Sequence, residues 1–162
     1  MNWTEGFSCR HSAALAAGLF PEGEAFPLVA GEDGWFGEKL AAAGHKKIFD
    51  RSIVVTHIAP ASAKDFWDKR IERGRGVPPI WKLRDQWTLT HIIRVVITAA
   101  FLSSLALVIP MPSIQRAWQQ SLFSPRGRKD FINFIFLDWL TTAGNVWGLI
   151  RGVIDLYHVS IR

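Results

Sequence analysis

A chain of 162 residues has room for one domain with a modest core, and a 49% apolar share excludes a disordered polypeptide. Eight Trp and eleven Phe against a single Tyr form an aromatic load suited to a membrane interface or a large apolar contact. The net charge of +5 fits anionic lipid or phosphorylated ligands; the basic residues are scattered and carry no nucleic-acid reader motif, so no nucleic-acid partner is expected.

Cys9 is the only cysteine, which excludes an intramolecular disulfide and a cysteine-built metal site. The first residues, MNWTEGFSCRHS, lack a basic run followed by a long apolar core, so no signal peptide is expected. Residues 11–17 are Ala-rich and predict a short helix, with Gly18 placed as its C′ residue. An apolar anchor and a turn follow at Leu19-Phe20-Pro21-Glu22-Gly23.

After a loop at residues 24–30, Glu32 and Asp33 open a helix expected to reach about Ala43, with Gly44 closing it. Carboxylates in a first turn are favoured by the helix dipole, which is sufficient reason for them to be there. Trp35, Phe36 and Leu40 share one face, so this helix is expected to be half buried. Residues 46–49 and 53–57 predict extended chain, since Ile53, Val54, Val55 and Thr56 are β-branched. The second of these strands ends on His57, a position where histidine is usually structural.

Three pieces then stand in order: Gly31-Glu32-Asp33, Gly44-His45-Lys46-Lys47-Ile48-Phe49-Asp50 and Val55-Thr56-His57. Together with Gly6, Arg10 and the turn from Gly18 to Glu22, this order resembles the acceptor-side half of a family 2 glycosyltransferase of the A-type fold. The resemblance covers roughly residues 5–76. It implies an α+β fold class, a partial A-type fold with few strands, followed by an apolar helical membrane-associated region. It implies inverting transfer of a sugar from a nucleotide-sugar donor to a glycan or lipid-linked acceptor. In that chemistry a carboxylate takes the acceptor proton, the role the resemblance gives Asp33, with Glu32 orienting the acceptor. Arg10, Trp35, Arg70 and Arg73 become candidate substrate-binding residues, and His57 a candidate ligand for Mg²⁺ or Mn²⁺. The donor-binding half of the family, with its Asp-x-Asp motif, has no counterpart in the sequence, so the chain is expected to be inactive alone.

Ser62 is placed to cap a helix whose apolar positions are Phe66, Trp67 and Ile71 and whose end is basic: Lys69, Arg70, Arg73 and Arg75. That basic end suits a donor diphosphate or, equally, lipid headgroups. Arg70-Ile71-Glu72-Arg73-Gly74 stands where processive members of the family carry Gln-x-x-Arg-Trp, which argues against polymer synthesis. Val77-Pro78-Pro79 predicts a break and a boundary between units 1–76 and 89–162, with 77–88 as an interfacial linker rich in Trp and charge.

Residues 89–109 are almost wholly apolar and long enough to cross about 30 Å of hydrocarbon. Residues 113–124 carry an amphipathic turn or two, with Ile114, Trp118, Leu122 and Phe123 apolar, and Arg126, Arg128 and Lys129 form a basic turn. Residues 131–154 are a second apolar stretch, interrupted by Asn133, Asp138, Asn145 and Arg151. Two full spans would carry the basic turn to the outside, against the positive-inside rule; a re-entrant or interfacial hairpin avoids this. Membrane association with a cytoplasmic soluble part is the expectation. The competing function is a small non-catalytic membrane scaffold or partner-binding protein.

Overall fold

The computed structural model describes residues 8–20, 31–50, 52–55 and 60–160. It contains α1 (His11–Ala16), α2 (Glu32–Ala42), α3 (Ala63–Leu83), α4 (Leu89–Val108), α5 (Met111–Ser121), a 3₁₀ turn (Gly127–Asp130) and α6 (Phe131–Ser160). No strand occurs among the described residues, so the expected α+β, partial A-type glycosyltransferase fold is not what this chain adopts. The β-branched run explains why. A strand needs a neighbour to pair its backbone, and among the described residues none lies beside it. Residues 45–50 and 53–55 are therefore irregular and open, with Ile48 86% and Val54 85% exposed.

The helix ends follow local chemistry. Gly18 and Gly44 both sit at positive φ and close α1 and α2 with paired bonds back into the last turn. The amides of Gly18 and Leu19 donate to Leu15 and Ala14, and those of Gly44 and His45 to Ala41 and Leu40. Ser62 Oγ accepts from the Asp65 amide at 3.1 Å, and Thr88 Oγ1 from the His91 amide at 3.3 Å. Ala13 and Ala14 of α1 pack on Phe36 and Leu40 of α2, forming a small core of their own.

The main body is built around α6, 30 residues and so about 45 Å long. α3, α4 and α5 all pack on it, the first two on different faces. α3 runs parallel to it along Gly144, Gly148 and Gly152. α4 runs antiparallel, burying Ile92 and Val96 against Leu156, Val153 and Leu149. α5 continues antiparallel along the first turns of α6, where Arg116 pairs with Asp138 at 2.9 Å and Trp118 meets the Phe131 ring edge-on.

The α3–α6 contact is backbone on backbone. A Cβ on Gly148 would stand 2.2 Å from the Ile71 carbonyl oxygen, and one on Gly74 2.2 Å from that of Asn145. This contact also accounts for a departure from the sequence reading at residues 77–79. α3 does not end ahead of Pro78 and Pro79 but carries both in its last turns. Each proline removes a helical hydrogen bond at a cost of about 3 kcal/mol. The Pro78 ring occupies the space that Gly152 leaves by lacking a Cβ, and both prolines are buried.

α5 buries small residues and leaves polar ones, Gln115, Arg116, Gln119 and Gln120, exposed. Its buried residues are Ser113, Ala117 and Ser121, while Met111 at its start and Leu122 and Phe123 just past its end point outward, Phe123 at 89% exposure.

Candidate functional site

The acidic pair stands where α2 leaves a left-handed Gly31. A side chain on Gly31 would collide with Ile80 Cδ1 at 2.1 Å, so the start of α2 rests on the end of α3. At the other end of the same contact Arg84 reaches both oxygens of Glu38, at 3.1 and 3.2 Å, and also holds Asp85. Hydrogen bonding to Asp85 is the largest reason the Arg84 guanidinium is raised above its ordinary value. α2 is thus tied to the helical body at two points.

Within this arrangement Asp33 Oδ1 accepts from the Gly34 amide at 2.7 Å, an ordinary first-turn contact. Glu32 is less ordinary: its Oε2 is buried and has no hydrogen-bond partner among the described residues. Burying a carboxylate oxygen without a donor is costly, so such an atom marks a place where a ligand or water fits. Trp35 is half-buried, with the Lys39 ammonium 5.1 Å from its ring centre.

The other expected site residues are dispersed. Arg10 caps α1 and lines a cleft of about 480 Å³ at the far end of α2, with Leu40, Ala41, His45, Lys46 and Lys47. That cleft does not include Glu32 or Asp33. Arg70 lies in the α3–α6 seam, its guanidinium 4.5 Å from the Phe66 ring centre. Burial, followed by the neighbouring charge of Arg73, holds its guanidinium below the usual arginine range. Its Nε is buried without a partner among the described residues. Arg73 faces outward on α3. His57 lies outside the described residues. No group of three or more His, Cys, Asp or Glu able to hold a metal occurs among the described residues.

The residues that organise the molecule carried a readable signal that composition conceals. Gly144, Gly148 and Gly152 recur every four positions, as do Ser113, Ala117 and Ser121. Spacing of four puts small side chains on one helix face, the pattern of close helix contact in apolar surroundings. α4 is long and apolar enough to cross a membrane, and only 11% of its Leu89–Ala106 stretch is buried.

No protein-family model matches this chain, and comparisons with curated proteins and with solved structures find no match either.

Proposed function

We propose that this chain is a membrane-associated helical scaffold that holds the α1–α2 pair at the cytoplasmic face of a membrane. One observation carries the reading: the outward face of α4 is largely apolar along its length, and apolar side chains stand exposed at both ends of α5. Ile97, Phe101, Leu105 and Val108 on α4, Met111 on α5, and Leu122 and Phe123 just beyond it are all exposed. A contiguous apolar surface of this kind suits lipid. Lys82 ahead of α4, and Arg126, Arg128 and Lys129 beyond α5, are drawn to the anionic cytoplasmic leaflet. Flotation of the purified chain with phosphatidylcholine–phosphatidylglycerol vesicles tests the reading. Co-flotation that weakens but persists at high salt is expected; a monodisperse protein that stays at the bottom of the gradient would refute it.

A second reading is favoured by the buried, unpartnered Glu32 oxygen beside Asp33. It makes the chain the acceptor-side and membrane-bound part of an inverting glycosyltransferase whose donor site, with its divalent cation, is supplied from elsewhere. Asp33 is then the base and Glu32 a ligand to the acceptor hydroxyl. Sugar transfer by the chain together with a donor-binding partner, abolished by Asp33→Asn, is the expected result. Full activity of that variant would remove Asp33 from the role.

A further inference from the structure

The depth of each helix along α6 bears on how the body meets the membrane. Gly148 touches Gly74 and Arg75 of α3, and the next residue, Leu149, packs in the cluster built by Ile92 and Val96 of α4. Gly144 touches Trp67 and Arg70 of α3, while Thr142, Ala143 and Val146 line a small cleft with Ala100, Ser103 and Ser104 of α4. Residues 67–75 of α3 and 96–104 of α4 are therefore level with one another. They lie on different faces of α6, and α3 has little contact with α4.

At that level the outer face of α3 carries Lys69, Glu72 and Arg73, all exposed. If α4 crossed the bilayer upright, these charges would sit near the middle of the hydrocarbon. A charged side chain there costs about 2.5–3.5 kcal/mol even on the mildest scale. The upright pose also separates Lys82 from Arg126, Arg128 and Lys129, sending one end's basic charge to the outside. Laying the body on its side removes both conflicts. α4 then presents Ile97, Phe101, Leu105 and Val108 to lipid, at 64%, 63%, 41% and 78% exposure, and α3 faces water. Arg94, near the start of α4, reaches the headgroups along its own aliphatic stem.

We propose that the α3–α6 body is monotopic: it binds an anionic membrane surface lengthwise, with the outer face of α4 among the acyl chains and the charged face of α3 in water. This rests on the membrane reading above and adds which surface enters the lipid and that both basic ends stay on one side. The partner is the anionic leaflet itself. Membrane attachment is then reversible in principle and selective for acidic headgroups.

The test uses the full chain with Cys9→Ser and single cysteines introduced by Glu72→Cys, Lys82→Cys, Phe101→Cys or Arg128→Cys. Each is added to preformed phosphatidylcholine–phosphatidylglycerol vesicles and treated with a membrane-impermeant maleimide. Glu72→Cys, Lys82→Cys and Arg128→Cys are all expected to react from outside, with Phe101→Cys protected. Labelling of Lys82→Cys and Arg128→Cys from opposite sides, one only after permeabilisation, would overturn the proposal and leave membrane association intact. Polarised infrared spectroscopy of the unsubstituted chain gives a second measure that needs no variant. Helix axes in the membrane plane are expected, and axes along the normal would overturn it. Binding to vesicles without phosphatidylglycerol should be about tenfold weaker or more; equal binding would refute the anionic selectivity. A chain that does not float with any vesicle refutes the membrane reading instead.

Discussion

α6 meets α3 and α4 by different means. Toward α3 it offers Gly144, Gly148 and Gly152, and the backbones touch. Toward α4 it offers Leu149, Val153 and Leu156, and side chains fill the space. The first seam gains from close approach, dispersion and weak Cα–H contacts to carbonyls. The second gains from apolar burial in the ordinary way. If, as proposed above, α6 lies at a lipid boundary, it has reason to use both. Where the outside is as apolar as the inside, burying leucine supplies little drive, and close backbone contact has to hold the pair. The two seams should therefore fail differently.

The largest effect is expected at the glycine seam. Gly148→Leu places a branched side chain where even a Cβ meets the Ile71 carbonyl at 2.2 Å and the Arg75 amide at 2.8 Å. Backbone atoms cannot rotate away, so α3 must separate from α6. A destabilisation of more than about 3 kcal/mol, the upper end for overpacking, is expected in micelles, and crosslinks between α3 and α6 should no longer form. Retention of wild-type thermal stability would show that the seam is not close-packed.

Ile92→Ala attacks the other seam. Ile92 is fully buried, and truncation leaves a hole lined by Val96 and Leu156. About 2–4 kcal/mol is expected, read as a lowered Tm in the same micelles. Because the neighbouring side chains can shift into the space, the cost should be smaller than at Gly148 and α4 should stay attached. A larger loss than that of Gly148→Leu would reverse the ranking of the two seams.

Much of the helical layout could be read directly. Gly18, Gly44 and Ser62 mark helix ends by backbone chemistry that needs no tertiary context, and the apolar stretches at 89–109 and 131–154 became α4 and most of α6. The extended chain expected at 46–49 and 53–57 forms no strand among the described residues, because β-branching reports a fit to a sheet, not the presence of one. Pro78 and Pro79 misled in the opposite sense. Their local penalty is real, but Gly152, on a helix far along the chain, supplies the space that tolerates it. The acidic pair was placed correctly at the head of α2. Its distance from the Arg10 cleft was not legible, because it depends on how α1 packs on α2.

The α5–α6 contact adds a charged element to the second seam and has a pH signature. Hydrogen bonding from Arg116, assisted by Ser113, holds the Asp138 carboxyl below the usual carboxylate range against the cost of burial. A carboxyl depressed in the folded state stabilises above its unfolded value, about pH 4, and that contribution fades as pH falls through the lower folded value. Acid unfolding of the α5–α6 contact is expected only below about pH 4. Arg116→Ala leaves Asp138, its side chain only 14% exposed, without its cation. A loss of about 1–3 kcal/mol at neutral pH is expected, with the acid transition moved upward. An unchanged acid midpoint in the variant would mean that the pair contributes nothing.

The smallest effect tests the region outside both seams. Gly34 sits in the first turn of α2, and a Cβ there would meet nothing within 4 Å. Its φ is not in the left-handed region, so alanine costs no strain and lowers the entropy of the unfolded chain. Gly34→Ala should therefore stabilise α2 by about 0.5–1 kcal/mol. The same class of substitution, glycine to a larger residue, thus has opposite signs at Gly34 and Gly148. The sign depends on whether a second backbone lies against the glycine, and hydrogen exchange of the α2 amides would register it. A destabilised α2 would mean that Gly34 lies against something that packing on Ile80 and Arg84 does not account for.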